Sequence, residues 1–407
     1  MGQQLHRRLP PELVEAVLEA FNEHRIAEQR ACELLGLRRT QLYTLRARWL
    51  RDQLKGHPFV VWNRPTSAFH QWPAEVQDWL HEQLRYIRDD AELFRGRFNF
   101  AFLAEEAEKQ FGQPFHRNSL RRWALRQGYY HATPDEKRKV YTRFETAGPG
   151  ALFQHDSSPH VWLPLTQRQQ SLILTQDDYS RRVVGARLVE RESAWHHLQV
   201  ARVTVEEVGR PLAYYVDNHS IFRYVGYTGR HYRYRKGPDE GEQQFKRALQ
   251  TLDIGLIYAS SPEAKGKIEK RFDYFQRRLP FLCEKYRITD LAEANRLLRE
   301  LMAFYNEQRV HQETGEIPQH RWEAAFRHGK SCLRPLEPHQ DLEVIFALQD
   351  ERLVKKDGTI SFLSRLWKVG QLPGQKVTVA LIPPTKLIIL KGSEKLWEYH
   401  LEPPVRR

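Results

Sequence analysis

Apolar residues recur at helical spacing through roughly the first third of the chain and at strand spacing beyond it. Leu13, Val14, Val17, Leu18 and Phe21 mark one helical face, 26–35 repeats the pattern, and Gly36 stops it before a further periodic stretch over 40–50. This predicts three helices joined by a tight turn. The plan then repeats: 100–111 is periodic and ends at Gly112, Asn118 and Ser119 are good cap residues, and 119–127 predicts a short helix. Between the two, Pro, His and aromatic residues without a period predict a linker.

After Gly148-Pro149-Gly150 the period changes from helical to alternating. The segments 151–154, 171–175, 182–189 and 212–216 predict strands, with a helix over 193–208 before the fourth. A helix over 241–252, a strand over 255–259, one long helix over 262–282 opened by Pro262 and another over 290–308 follow. Together these predict an α/β core. From 342 onward alternation returns (Val344, Phe346, Leu348; Val377, Val379, Leu381; Leu387, Ile389) with Gly and Pro turns, the pattern of a small all-β barrel. The expected organisation is multidomain: modules over 1–56 and 73–132, a linker over 57–72, a connector over 133–150, a core over 151–330 and a C-terminal barrel over 335–407.

Composition narrows the partner. Hydrophobic residues make up 41% of 407, enough to form cores and too many for a disordered chain. No apolar run approaches the roughly 20 residues that span a bilayer, and no signal-peptide segment opens the chain, so a soluble, intracellular protein without a membrane partner is expected. Three scattered cysteines form neither a disulfide framework nor a zinc cluster. The net charge of +13 is spread over the modules, the core and the barrel region rather than held in one tail. Such a distribution suits a polyanion tracking over a long surface. No acidic residue lies between Leu34 and Arg51, and the third predicted helix carries Arg46, Arg48 and Arg51 behind Arg38 and Arg39. That helix suits a major groove, with Gln41 or Arg46 as donors to base edges. In the second module Arg117, Arg121, Arg122 and Arg126 have the same arrangement.

Three acids stand where strand order can bring them together. Asp156 closes the first predicted strand, Asp217 follows the fourth, and Glu269 lies two turns into the long helix. Clustered carboxylates are the ligands Mg²⁺ prefers, and two ions held between them can serve phosphodiester chemistry. Glu263 is a rival third acid on another face of the same helix. His155, His160, His196 and His197 lack cysteine partners and read as structural, Ser157 and Ser158 lack a nucleophile elbow, and no phosphate-cradling Gly-rich loop is present.

The stretches Gln154-His155-Asp156, 174–181, Val216-Asp217-Asn218 and 261–270 together resemble the retroviral-integrase-type core of DDE transposases, particularly those of bacterial insertion sequences. The match extends to the tandem modules, to Tyr305-Asn306, Arg309-Val310-His311 and Pro318, and to the C-terminal barrel. The resemblance implies tandem helix-turn-helix modules ahead of a ribonuclease-H-like core. It implies Asp156, Asp217 and Glu269 as catalytic ligands of two Mg²⁺ ions, with Mn²⁺ as a substitute. It further implies double-stranded DNA as partner, both element ends and target, with a homo-oligomer forming on it in the bacterial cytoplasm at the nucleoid. The expected reaction is nicking of terminal inverted repeats and joining of the 3′-hydroxyl ends to target DNA. Lys265 and Lys270 bracket the strongest local match, Lys-Gly-x-x-Glu, and are expected to contact DNA. Asp177 and Asp178 correspond to a structural turn. The 51 residues between Asp217 and Glu269 exceed those of the most compact members. The excess reads as an insertion over 222–240 whose Arg233 and Arg235 are further DNA contacts. A domesticated DNA-binding regulator and a structure-specific nuclease on the same core are the alternatives.

Overall fold

The computed structural model describes residues 5–61, 72–89, 98–129, 145–217, 240–259, 266–370 and 372–401. The first unit contains α1 (Leu5–Arg8), α2 (Pro11–Asn22), α3 (Glu28–Leu35) and α4 (Arg39–Leu54). The apolar stripes of the last three meet in one cluster built on Val14, Leu18, Ala31, Leu35, Leu42 and Trp49. Gly36 ends α3 at φ +58°, a left-handed position where a side chain would be strained, and so permits the tight turn into α4. A second unit follows the same plan. It comprises α5 (Ala74–Asp89), α6 (Phe100–Phe111) and α7 (Arg117–Arg126), around Leu80, Leu84, Ala107 and Leu120.

The centre is a mixed five-stranded sheet in the order β3-β2-β1-β4-β5. Strands β1 (Phe153–Leu163), β2 (Arg168–Asp177) and β3 (Val183–Val189) form an antiparallel meander; β4 (Ala213–Val216) and β5 (Gly255–Tyr258) add in parallel. One face packs on α8 (Ala194–Val208) and α9 (Glu240–Thr251) through Phe153, Tyr214, Val216, Leu198 and Phe245. The other face packs on α10 (Gly266–Gln276), α11 (Leu279–Lys285) and α12 (Leu291–Gln308). With both faces covered, β2 is buried along nearly its whole length.

Three expectations are corrected here. The first strand does not end at Asp156, because a hairpin with β2 carries it on to Leu163. Pro159 is tolerated within it because the pairing with β4 covers only Phe153 and Gln154, so β1 beyond them is an edge on that side. The long helix is interrupted between Gln276 and Leu279, since Pro280 has no N–H to give the preceding turn; its expected start at Pro262 lies outside the described residues. Residues Leu342–Ile345 form a short helix, α14, capped by the Asp341 carboxylate on the Glu343 and Val344 amides, in place of the start of an alternating strand. It follows α13 (Pro318–Arg327).

The C-terminal region is all-β after α14. Strands β6 (Leu348–Leu353), β9 (Lys376–Ile382), β10 (Lys386–Lys391) and β11 (Glu394–His400) form a sheet in the order β11-β10-β9-β6, and β7 (Thr359–Phe362) pairs with β8 (Arg365–Lys368) as a hairpin. Ile360 and Val369 pack with Val377, Val379, Leu387 and Ile389, so the hairpin covers one face of the sheet. The barrel is therefore not closed among the described residues: both sheets are open.

Candidate active site

Parallel pairing sets Phe153 beside Tyr214 and Gln154 beside Tyr215. That pairing ends there, and Asp156 and Asp217 each stand two residues beyond its last pair. Side chains alternate along both strands. Phe153, Tyr214 and Val216 point into the cluster with α8 and α9, so Gln154, Asp156 and Asp217 belong to the opposite face, under α10. Both aspartates are half-buried, and Asp156 accepts a hydrogen bond from the Ser157 amide at 2.9 Å.

Polar contacts at both ends fix the course of α10. Near its start Lys267 donates to both oxygens of Asp178 at 2.8 Å, and Gln154 donates to the same carboxylate at 2.6 Å. At its end Gln276 donates to the Ser158 hydroxyl at 2.9 Å. The helix therefore runs along β1 from the level of Gln154 to that of Ser158, and Asp156 lies between. Glu269, two residues after Lys267 and two turns before Gln276 on the same stripe, is exposed on this helix. Among the described residues no group of three or more His, Cys, Asp or Glu side chains stands close enough to hold a metal ion. Asp156 and Asp217 belong to the sheet face that α10 covers, Glu269 lies on α10 itself, and the three do not close into a ligand set. As hard oxygen donors they have the chemistry a divalent magnesium-type cation takes. Glu263 lies outside the described residues.

Asp178 was expected to be only a turn residue. Fully buried, it also receives Lys267, contacts Arg181 at 3.7 Å, and anchors the helix that carries Glu269. The signal was available: Lys267 falls inside the Lys-Gly-x-x-Glu motif, and a lysine beside a buried acid needs a partner. Its neighbour Asp177 is structural, accepting from the Gly150 and Ser180 amides and the Ser180 hydroxyl. Burial pushes its carboxyl up to about 6 against those hydrogen bonds. On the other face, buried His155 joins Thr175 at 2.7 Å and His197 at 2.8 Å, and His197 joins Glu192 at 2.8 Å, so both are satisfied core histidines.

The basic positions separate into two groups. Arg38, Arg39 and Gln41 are exposed at the start of α4. There Gln41 caps the helix by accepting the Arg38 amide at 3.0 Å, and Arg39 lies 3.2 Å from Glu28. Arg117, Arg121, Arg122 and Arg126 are all exposed on α7. Arg46 is the correction: only 1% exposed, it lies over the Phe21 and Tyr43 rings and donates to the Thr314 carbonyl at 2.6 Å. No buried guanidinium reaches a DNA groove. Its position on the stripe of Leu42, Leu45, Trp49 and Leu50 was the sequence signal. Arg48 is also turned from solvent, half-buried over Phe59 and donating to the Val60 and Val61 carbonyls. Lys270 is exposed and pairs with Glu313 at 2.5 Å. Arg233, Arg235 and Lys265 lie outside the described residues, as does nearly all of the expected insertion.

No protein-family model matches the chain. Two curated relatives do, and both are transposases by name. The chain is 29% identical over 211 residues to a protein of Sinorhizobium fredii named as a transposase, y4bF, covering 52% of this chain and 45% of that protein. It is 33% identical over 160 residues to the transposase for insertion sequence IS1202 of Streptococcus pneumoniae, covering 39% of this chain and 33% of that protein. The chain thus matches less than half the length of either. Among solved structures it is similar to the magnesium-bound catalytic core of the HTLV-2 integrase, at 14% identity and a TM-score of 0.32, over 43% of this chain and 97% of that one. It is also similar to a chain of the simian T-cell lymphotropic virus intasome with the PP2A regulatory subunit B56 gamma, at 14% identity and a TM-score of 0.36, over 74% of this chain and 96% of that one. By its relatives, the chain is similar to transposases of insertion sequences.

Proposed function

We propose that this chain is a DDE-type DNA transposase with a ribonuclease-H-like core. The observation that carries the reading is the parallel pairing of β1 with β4, which puts Asp156 and Asp217 each two residues beyond its last pair, beside the helix that bears Glu269. These three carboxylates would hold two divalent ions, Mg²⁺ or Mn²⁺, which supply Lewis-acid stabilisation of the attacking and leaving oxygens. Lys267 and Asp178 keep α10 against β1, and Glu269 would turn toward the two aspartates around the bound ions. At each element end a water oxygen attacks the phosphorus, and the bond to the 3′-oxygen breaks, releasing a 3′-hydroxyl. That hydroxyl then attacks a target phosphorus, loses its proton, and displaces the target's own 3′-oxygen. No covalent enzyme intermediate is needed.

Two helix-turn-helix modules would grip the terminal inverted repeats. The exposed start of α4 (Arg38, Arg39, Gln41) and the arginines of α7 (Arg117, Arg121, Arg122, Arg126) would meet phosphates and base edges. Lys265 and Lys270 would add phosphate contacts beside the site, as would Arg233 and Arg235 in the 222–240 insertion. Assembly of several copies on paired ends follows from the need to join both, and the setting is the bacterial nucleoid.

Glu269→Gln is the direct test. The amide keeps the shape and loses the charge, so end binding should remain near wild type while cleavage and joining disappear on the same preparation. Cleavage at the wild-type rate would remove Glu269 from the site and move attention to Glu263.

A further inference from the structure

The first helical unit meets the core at the loop of residues 309–317, and also at His328, which contacts the Glu23 carbonyl. Buried Arg46, from the middle of α4, donates through Nη2 to the Thr314 carbonyl at 2.6 Å and sets Nη1 3.3 Å from Glu316. Glu316 is 3% exposed and takes two further partners: His24 at 3.2 Å from the turn after α2, and Arg321 at 3.0 Å from α13. Ile317 joins the apolar cluster of the first unit. Gly315, at φ +65°, leaves only tight space for a side chain, since a Cβ would stand 3.1 Å from both Arg46 and Tyr43, and the left-handed backbone would strain any other residue.

The other side of the same loop holds the helix of Glu269. Glu313 pairs with Lys270 at 2.5 Å and lies 4.0 Å from Arg181. His311 meets Arg271 at 3.1 Å, and Arg271 in turn donates to Gln176 on β2 at 2.9 Å. Lys270 and Arg271 are the two residues directly after Glu269. Between the two sets of contacts the loop is closed on itself: the His311 amide donates to the Glu316 carbonyl and the Gly315 amide to the His311 carbonyl, each at 2.8 Å. A short loop crosslinked in this way passes a displacement from one side to the other instead of absorbing it.

We propose that residues 309–317 are a rigid coupler between the first helical unit and the catalytic helix. Arg46 and Glu316 are its positioning residues, setting the placement of Glu269 from a helix whose opposite face meets DNA. This rests on the transposase reading, in which α4 binds the element end and Glu269 is catalytic. A displacement of about 1 Å at a reacting group costs up to about a hundredfold in rate, so a broken coupler is expected to act on the chemical step.

The experiment uses the full chain with Arg46→Met, Arg46→Lys and Gly315→Ala. The last pushes a methyl group into the contact without removing a charge. Two quantities are read: the single-turnover rate of end cleavage against end-binding affinity, and hydrogen exchange of the α10 amides with α8 as internal reference. Expected for Arg46→Met and Gly315→Ala is a cleavage rate lowered about tenfold or more. Affinity should stay within about threefold, less than one base contact is worth. Exchange should be faster in α10 and unchanged in α8, and Arg46→Lys should be intermediate. Unchanged cleavage, or equal exchange gains in α8 and α10, overturns the coupler. If the wild type cleaves no element end, the transposase reading fails on its own, and the exchange comparison still decides whether the loop couples α4 to α10.

Discussion

Glu316 and Lys267 show how much of this protein rests on buried charges that have specific partners. Burial alone would push the Glu316 carboxyl up from its usual 4.5; the hydrogen bond with His24 and the charges of Arg321 and Arg46 outweigh it and hold the carboxyl below that value. A folded value below the unfolded one gives stability that is complete above pH 4.5 and is lost as pH falls through the lower folded value. Glu316→Gln should therefore cost about 3 to 5 kcal/mol near neutral pH, the usual penalty for one broken buried pair. In denaturant melts the gap to wild type should narrow as pH falls below 4.5. A gap that is flat with pH would mean that the carboxylate charge is not what stabilises the loop. Lys267 is also mostly buried, and its ammonium is pushed down from its usual range, first by burial and then by Arg181, against the pull of Asp178. Lys267→Met should lower end cleavage at least about tenfold by freeing the start of α10, with end binding retained; equal rates would show that Glu269 is placed without that anchor.

At the scale of elements, α4 and α7 differ in a way that helical periodicity alone does not separate. Both carry several arginines. On α4 the arginine at the centre of the helix lies on the apolar stripe and faces the core, whereas on α7 the arginines flank Leu120 and Ala124 and all remain outside. Salt dependence should follow this division. Arg122→Ala and Arg117→Ala should each weaken end binding and reduce the slope of log affinity against log salt by about one. Arg46→Ala should leave that slope unchanged, because a buried guanidinium displaces no counterion. Titrations of the three variants between low and high salt decide it, and a reduced slope for Arg46→Ala would place that side chain on DNA after all. The break between α10 and α11 is likewise an element-scale event. Pro280 ends one helix and lets Leu279, Phe281 and Leu282 turn into the core beside Phe275.

Over the whole molecule, neither helical unit is an appendage. Phe102 of α6 is buried in the core cluster with its ring 5.3 Å from that of Phe281, and Glu105 takes Arg278 at 3.0 Å and Arg309 at 2.7 Å. The first unit is held through Arg46 and Ile317. Arg309 begins the loop that reaches Glu316, so both units converge on one segment of the core. Phe102→Ala should cost about 3 to 5 kcal/mol as a large-to-small core change. The loss should appear as an earlier unfolding of the second unit and the core together. A separate early transition confined to the second unit would show that the two are energetically independent.

The sequence by itself determined the order and kind of the helices of the first unit and of most core strands and helices, because helical and alternating periods record which residues face a core. It also marked Asp156, Asp217 and Glu269, because a strand-end acid and a Lys-Gly-x-x-Glu motif are local patterns. Only the tertiary structure decided that β1 and β4 pair side by side, with both aspartates just beyond the paired residues, because that depends on strands far apart in the chain. The same holds for the hairpin that continues β1 past Asp156, and for the open C-terminal sheets, since alternation fixes which face is buried and not whether the edges meet. Arg46 gives the clearest case: composition marks it as a DNA contact, and its true partners, Thr314 and Glu316, lie some 270 residues away along the chain. A charge buried by a distant loop leaves no local trace beyond its place on an apolar stripe, because the stabilising contact exists only once the chain has folded.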